Sequence, residues 1–357
     1  MAGIGDTILA TPLIHELRAN YPEAQIDALV LWSGSKDILQ GNPHVNLVYQ
    51  RNLIKESTIS GLTFLWPLRQ AGYDISINTH PQSRMHYRLT ARFIGAQERI
   101  SHRYECSGLL DRLLVNRALA QDYQQHTVEN NLQLLSILGK NPLLPKHELE
   151  IFLSEKDHDW AMTFLKTHGM YGRNWLGIHP GSGGTKNLAL KRWPLDHYVK
   201  LLTKLRQAWP ELGILLFGGK EEEPDLQRIL AAHNSPLVVR VSSVTLRQAA
   251  ALIQQCASFL SVDTALMHLA AAVKAPGQIV IEAPTLNKTN EPYGNPFMLI
   301  RNPAVAGCNL EYYRYDGKGI KGTKEALTRC MASVTVDMVA EAIEKVLASR
   351  APGSPTG

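Results

Sequence analysis

A chain of 357 residues is longer than one ordinary core and fits two domains of middling size. Its composition, 45% hydrophobic and 19% charged, is globular, and no run approaches the roughly 18 uninterrupted apolar residues of a membrane span. A net charge of +5 suits an anionic ligand or an acidic membrane surface, whereas the lack of a dense Lys/Arg run, zinc spacing or RNA-binding aromatic motif argues against nucleic acid.

The opening "MAGIGDTILA" has neither the basic region nor the cleavage site of a secretory signal. Four scattered cysteines, Cys106, Cys256, Cys308 and Cys330, make no disulfide framework, so the cytoplasm is the expected compartment. Gly3-Ile4-Gly5-Asp6 reads as a tight turn delivering a helix from Thr7 to Leu17, with Ile8, Leu9, Leu13, Ile14 and Leu17 on one face. Such a turn normally receives a β-strand, yet only Met1 and Ala2 precede it. The first strand of the N-terminal sheet is therefore expected to be missing, leaving a gap beside "IDALVLW" and "ISINTH".

Further along, apolar runs at 24–32, 45–50 and 74–80 read as strands, and 83–95 and 126–139 as amphipathic helices. The rhythm breaks between about 140 and 174, then resumes with strands at 175–181, 213–219, 258–263 and 278–284, separated by helices. Repeated βα units imply doubly wound parallel sheets covered on both faces. The N-terminal domain is assigned to 1–165, a linker to 166–174, the second domain to 175–333, a closing helix to 334–350 and a disordered tail to 351–357. Two such domains facing each other would set the C-terminal ends of both sheets around one cleft.

Three stretches could carry chemistry. In "LSVDTALMHLAAA", Asp263 stands at a strand tip, Thr264 at a helix start, and His268 four residues on, on the same face. The run reads equally as a phosphate site on bare helix amides or as a cap with a packed histidine. In "IHPGSGGTKNLALKRWP", a glycine-rich loop bearing Ser182 precedes Lys191-Arg192; it is not a Walker loop, but can hold a diphosphate or be a solvated surface loop. In "FGGKEEEPD", Glu221, Glu222 and Glu223 open a helix, where a carboxylate complements the dipole or binds a ribose. Arg84, Arg88 and Arg92 recur at i, i+4 and i+8, one face that would suit a phosphorylated lipid-sugar or be a solvated stripe.

Taken in order, "IGDTILATPLI", "HPG…KRWP", "FGG…E" and "VDTALMHLAAA…P" strongly resemble the bacterial heptosyltransferases of glycosyltransferase family nine. "HTVENNLQLLSILG" and "CMASVTVDMVAEAIEKV" are also similar to that family, so the resemblance spans nearly the whole chain. It implies a GT-B fold of two Rossmann-like domains, with the acceptor on the first and the nucleotide-sugar mainly on the second. The implied reaction moves a heptose from an ADP-heptose-type donor to a lipopolysaccharide core or lipid-linked glycan, with inversion and without metal or cofactor. Asp6 matches the family's catalytic base, with a helix cap as its plain alternative; Ser182 and Lys191 match donor-phosphate contacts, Glu222 a carboxylate of the nucleotide-sugar site, and Asp263, Thr264 and His268 the donor-binding run. Ala265 replaces the usual glycine of that run, and "IEAPT" stands where a glycine turn is common. Peripheral association with the inner face of the cytoplasmic membrane is the expected setting. A nucleotide-sugar-binding protein of the same fold, impaired in turnover, is the rival reading.

Overall fold

The computed structural model describes residues 3–105, 107–183, 189–305 and 320–349; Cys106, Cys308, part of the glycine-rich loop and the expected tail at 351–357 lie outside them. The chain divides into two compact units, the first running to Glu150 and the second starting at Ile151.

In the first unit the helices are α1 (Ile4–Leu9), α2 (Thr11–Asn20), α3 (Ser33–Leu39), α4 (Thr58–Gln70), α5 (Met85–Ile94), α6 (Leu109–Leu114) and α7 (Thr127–Ile137). Its strands are β1 (Asp27–Val30), β2 (Leu47–Gln50), β3 (Ile75–Asn78), β4 (Glu98–Arg103) and β5 (Arg117–Ala120). They form two separate parallel sheets, β1-β2 and β3-β4-β5. Tyr73, just ahead of β3, donates its hydroxyl to Asp27 at the start of β1, yet no strand among the described residues pairs with the second edge of either. The interruption falls where the sequence places a gap.

The opening differs from the expected turn. Ile4, Gly5 and Asp6 are already helical, with Gly3 as the N-cap. The Gly3 amide donates to Asp6 Oδ2 at 2.7 Å, while Thr7 Oγ1 donates to the Gly3 carbonyl at 2.8 Å. The single helix expected from Thr7 to Leu17 is two, because Pro12 has no N–H for the Ile8 carbonyl. The Thr11 hydroxyl serves that carbonyl instead, at 2.7 Å.

In the second unit, strands β6 (Trp175–His179), β7 (Gly213–Phe217), β8 (Val238–Val241), β9 (Ser258–Ser261), β10 (Gln278–Ile281) and β11 (Phe297–Ile300) form one parallel sheet in the order β11-β10-β9-β6-β7-β8. Every residue of β6, β7, β9 and β10 is buried, as strands covered on both faces require. Gly177 is needed inside β6: a β-carbon there would lie 2.6 Å from the Phe259 ring. Helices α8 (Glu155–Thr167), α9 (Leu195–Ala208), α10 (Glu223–Ala232), α11 (Leu246–Gln255), α12 (Ala265–Ala272), α13 (Lys324–Ala332) and α14 (Val336–Ala348) accompany this sheet.

The domain boundary set at 165 is thereby moved to an earlier position. α8 packs on α11, and Arg247 donates to Asp157 at 2.5 Å, so α8 belongs wholly to the second unit. The closing helix is not an appendage either. Val339, Ile343 and Leu347 of α14 share one core with Trp193 and the α9 leucines. The chain runs outward on either side of the β6–β9 pair, which makes the C-terminal ends of these two strands a switch point, where open α/β sheets bind ligands.

Candidate functional site

Asp263 lies two residues beyond β9 and is buried. Three donors converge on its Oδ2: Lys191 Nζ at 3.2 Å, the Thr285 hydroxyl at 2.6 Å and Asn290 Nδ2 at 3.2 Å. Burial by itself pushes this carboxyl up, but the Lys191 ammonium, the Thr285 hydroxyl and His268 outweigh it and hold the group below the ordinary carboxylate range. A buried charge needs such compensation.

Thr264 caps α12, its hydroxyl accepting the Met267 amide at 3.4 Å, with His179 Nδ1 3.2 Å away on the other side. His179 ends β6 and is held neutral: burial, then the cations of Arg192 and Lys191, lower its pKa to about 3. His268 is buried one turn into α12, as its spacing from Thr264 predicts.

Ser182 and Glu222 are joined by a residue the sequence reading set aside. Arg192 donates to the Ser182 carbonyl at 2.7 Å, to Glu222 at 3.0 Å and to Asp225 at 2.9 Å. Glu222 also accepts the Gly219 amide at 3.0 Å. A β-carbon at Gly181 would sit 2.4 Å from the Glu222 side chain, so glycine at that point of the loop admits the carboxylate beneath it. All six donor-side candidates, Ser182, Lys191, Glu222, Asp263, Thr264 and His268, are therefore buried in the second unit, on loops and helix starts beyond its strand ends. Arg192, Thr285 and Asn290 were missed. The adjacent Lys191-Arg192 pair was the one available signal for the first; the other two lie 22 and 27 residues from Asp263 with no pattern linking them.

In the first unit, Asp6 and Arg84 act oppositely on Tyr87. Burial and then the Asp6 carboxylate push that phenol up to about 12, and the Arg84 guanidinium pulls it back. The three arginines do not form the expected stripe. Arg88 is buried, ion-paired with Asp111 and donating to the His102 carbonyl at 3.2 Å, with Tyr104 beneath its guanidinium. Arg84 is the N-cap of α5 and half-buried, and Arg92 is exposed. Helical spacing groups the three arginines, but the packing of α5 against α6 buries Arg88 alone of them, on Asp111.

His15, His44 and Glu150 bring their ligand atoms within 4.8 Å of one another, away from these residues. The two imidazoles are stacked, 3.7 Å between centroids and 15° between planes. A metal must lie close to the plane of each ring that binds it, and two parallel stacked planes share no such point. The geometry is that of two rings sharing a carboxylate partner.

Residues 63–313 match the family model for glycosyltransferase family 9 (heptosyltransferase). The lipopolysaccharide heptosyltransferase 3 of Escherichia coli is 27% identical over 280 residues, 76% of this chain and 78% of that one. Two solved E. coli structures show the same fold. ADP-heptose lps heptosyltransferase II has a TM-score of 0.72 at 20% identity, over 98% of this chain and 97% of its own. The heptosyltransferase WaaC, solved with ADP-2-deoxy-2-fluoro heptose, has a TM-score of 0.68 at 20% identity, over 97% of both chains. The fold is GT-B, as the order of motifs implies. Because the family match starts inside α4 and runs through every strand from β3 to β11, the chain belongs to glycosyltransferase family 9 and is a glycosyltransferase of the heptosyltransferase family.

Proposed function

We propose that this protein transfers a heptose from an ADP-heptose-type donor to a lipopolysaccharide core or related lipid-linked glycan, with inversion and without a metal. The second unit binds the donor and the first the acceptor. The observation that carries the donor side is the buried Lys191–Asp263 pair beside the Thr264 cap at the β6–β9 switch point. Two relatives of the same fold carry ADP-heptose or an ADP-heptose analogue in their names, which supports the donor class.

In this reading the diphosphate lies between the loop carrying Ser182 and the N-terminus of α12. Lys191, the Ser182 hydroxyl, Thr264 and exposed amides take up the charge that grows on it as the sugar bond breaks. Glu222 accepts from a ribose hydroxyl while Arg192 fixes its place, and Asp263 and His268 hold the donor sugar. On the acceptor side, Asp6 takes the proton from the attacking hydroxyl, whose own pKa is far above 7. Attack opposite the departing ADP inverts the anomeric centre. Arg84 and Arg92 contact the acceptor's phosphates; Arg88, consumed by Asp111, supports α5 instead.

Mass spectrometry of products, after incubation with ADP-heptose and candidate core oligosaccharides, tests this. A heptosyl gain on one acceptor is expected. Binding of ADP-heptose with neither transfer nor hydrolysis would overturn it in favour of a binding protein, the reading that Ala265 at the start of α12 favours.

A further inference from the structure

Helix α1 carries Asp6, and in a βα unit the start of a helix is placed by the strand that delivers it. No strand among the described residues leads into α1. Two buried side chains take hold of this helix, one from each side of the interrupted sheet.

On the β1 side, Ser35 lies in the first turn of α3, fully buried, with its Oγ 2.9 Å from Thr7 Oγ1. Thr7 has a single hydroxyl proton and gives it to the Gly3 carbonyl, so Ser35 is the donor of the second bond. That bond ends on the residue next to Asp6. On the β3 side, Asn131 stands inside α7 with no exposure, on a helix where Val128, Leu132 and Leu135 are also buried. An amide in such a place costs stability unless both of its ends are bonded. Asn131 Oδ1 accepts the His80 amide, two residues beyond β3, at 2.7 Å, and Nδ2 donates to the Leu9 carbonyl at the end of α1, at 3.4 Å. One side chain thereby joins α1, α7 and the C-terminal end of β3.

The hydrogen bonds continue from His80 toward the Asp6 charge. The Tyr104 hydroxyl accepts the Gln82 amide at 2.9 Å and lies 3.2 Å from His80 Nδ1, to which it gives its own proton. Burial first, and the Asp6 carboxylate among lesser causes, push the Tyr104 phenol up. Packing alone calls for neither polar group, since an alanine fits where Ser35 stands and a leucine is close to the shape of Asn131. What the two polar groups add is direction: each fixes a particular atom of α1.

We propose that Ser35 and Asn131 are positioning residues for Asp6, holding α1 near its start and at its end in the place that a delivering strand would set. This role rests on Asp6 being the base, and it adds two residues that serve the base without touching substrate.

The test joins amide exchange with a double-mutant cycle on Ser35→Ala, Asn131→Leu and Asp6→Asn. Exchange, read without donor or acceptor, should quicken by roughly tenfold at residues 4–9 in either variant and stay at the parent rate in β6 and β9. Transfer from ADP-heptose, measured well below Tm on the oligosaccharide that gains heptose, should lose roughly tenfold in kcat for Ser35→Ala and a hundredfold for Asn131→Leu. The KM for ADP-heptose and the affinity for ADP should stay within about twofold of the parent. In an Asp6→Asn background, which has no base left to place, neither substitution should lower the rate by more than about twofold. Equal losses in both backgrounds would make the two residues structural only and overturn the proposal. So would parent-like kcat in a variant whose α1 exchanges faster, or parent-like exchange at α1 in both. Ser35→Ala removes one hydroxyl and carries the test by itself if Asn131→Leu does not fold. A parent that transfers no heptose overturns the catalytic reading, and the positioning role with it, while the exchange arm still decides whether the ties hold α1.

Discussion

At the third position of α1, the Asp6 carboxylate accepts the Gly3 amide through Oδ2, so a capping task accompanies the proposed catalytic one. Asn at that position keeps an oxygen for the same amide but cannot take a proton. Asp6→Asn should therefore melt like the parent and lose roughly 100- to 10,000-fold in transfer rate. Parent-like turnover would leave Asp6 a cap alone. Lys191 neutralises Asp263, and in the proposed reading it also meets the diphosphate. Lys191→Met strands a buried carboxylate, although Thr285 and Asn290 still donate to it. Urea unfolding should show a loss of about 3–5 kcal/mol. Combining it with Asp263→Asn removes the stranded charge and should recover most of that stability. Calorimetric titration should still show ADP binding about 1.5–3 kcal/mol weaker than in the parent. A double variant that binds ADP normally would confine Lys191 to charge balance.

Among the elements, the interrupted sheet of the first unit stands out, because the Tyr73–Asp27 contact brings the starts of β1 and β3 near each other while, among the described residues, neither strand is paired across the gap. Parallel strands of such domains are normally hydrogen-bonded on both edges. Extending the chain at its N-terminus by about six β-branched apolar residues, a usual strand length, should fill the slot. Amide exchange at residues 27–30 and 75–78 should slow, and Tm should rise. Unchanged exchange in a folded, extended chain would mean that the edges are closed in another way. Strand legibility follows the same logic. β6, β7, β9 and β10, buried throughout, are evident as apolar runs, whereas β4 ("ERISHR") and β5 ("RALA") alternate with polar residues and passed unread. β8 and β11 lie at the two edges of the second sheet and were likewise not anticipated.

For the whole molecule, acid is the condition to which both units are exposed. His80 and His102 are buried in the first unit and His179 in the second. Burial lowers the pKa of His102 to about 4 and of His179 to about 3, and that of His80 well below its usual 6.5. Between 6.5 and these values the unfolded chain binds protons that the folded chain refuses. Stability is thus full above pH 6.5 and falls as pH drops, by about 1.4 kcal/mol per pH unit for each such histidine. The first unit, with two, should be the more acid-sensitive. Urea midpoints at pH 7 and pH 5 read this directly, and His102→Gln should flatten the slope by one proton's worth. Midpoints that do not move between those two values would show that the buried rings titrate without opposing folding.

The amino-acid sequence by itself determined the βα rhythm, the two-domain α/β class and the family, and it singled out the six donor-side candidates, because those signals are local: periodicity within an element, and motifs at a strand's end. Asp263, Thr264 and His268 are legible as a set for that reason, lying within six consecutive positions on one strand-to-helix turn. Tertiary structure alone decided what lies opposite each of them. It brought Thr285 and Asn290 to Asp263, made Arg192 the tie between Ser182 and Glu222, gave α8 to the second unit and buried Arg88 on Asp111. It also left the leucines of α6 facing outward. Helical spacing states which side chains share a face; whether that face meets core, counter-charge or solvent depends on segments tens of residues away that arrive only when the chain has folded.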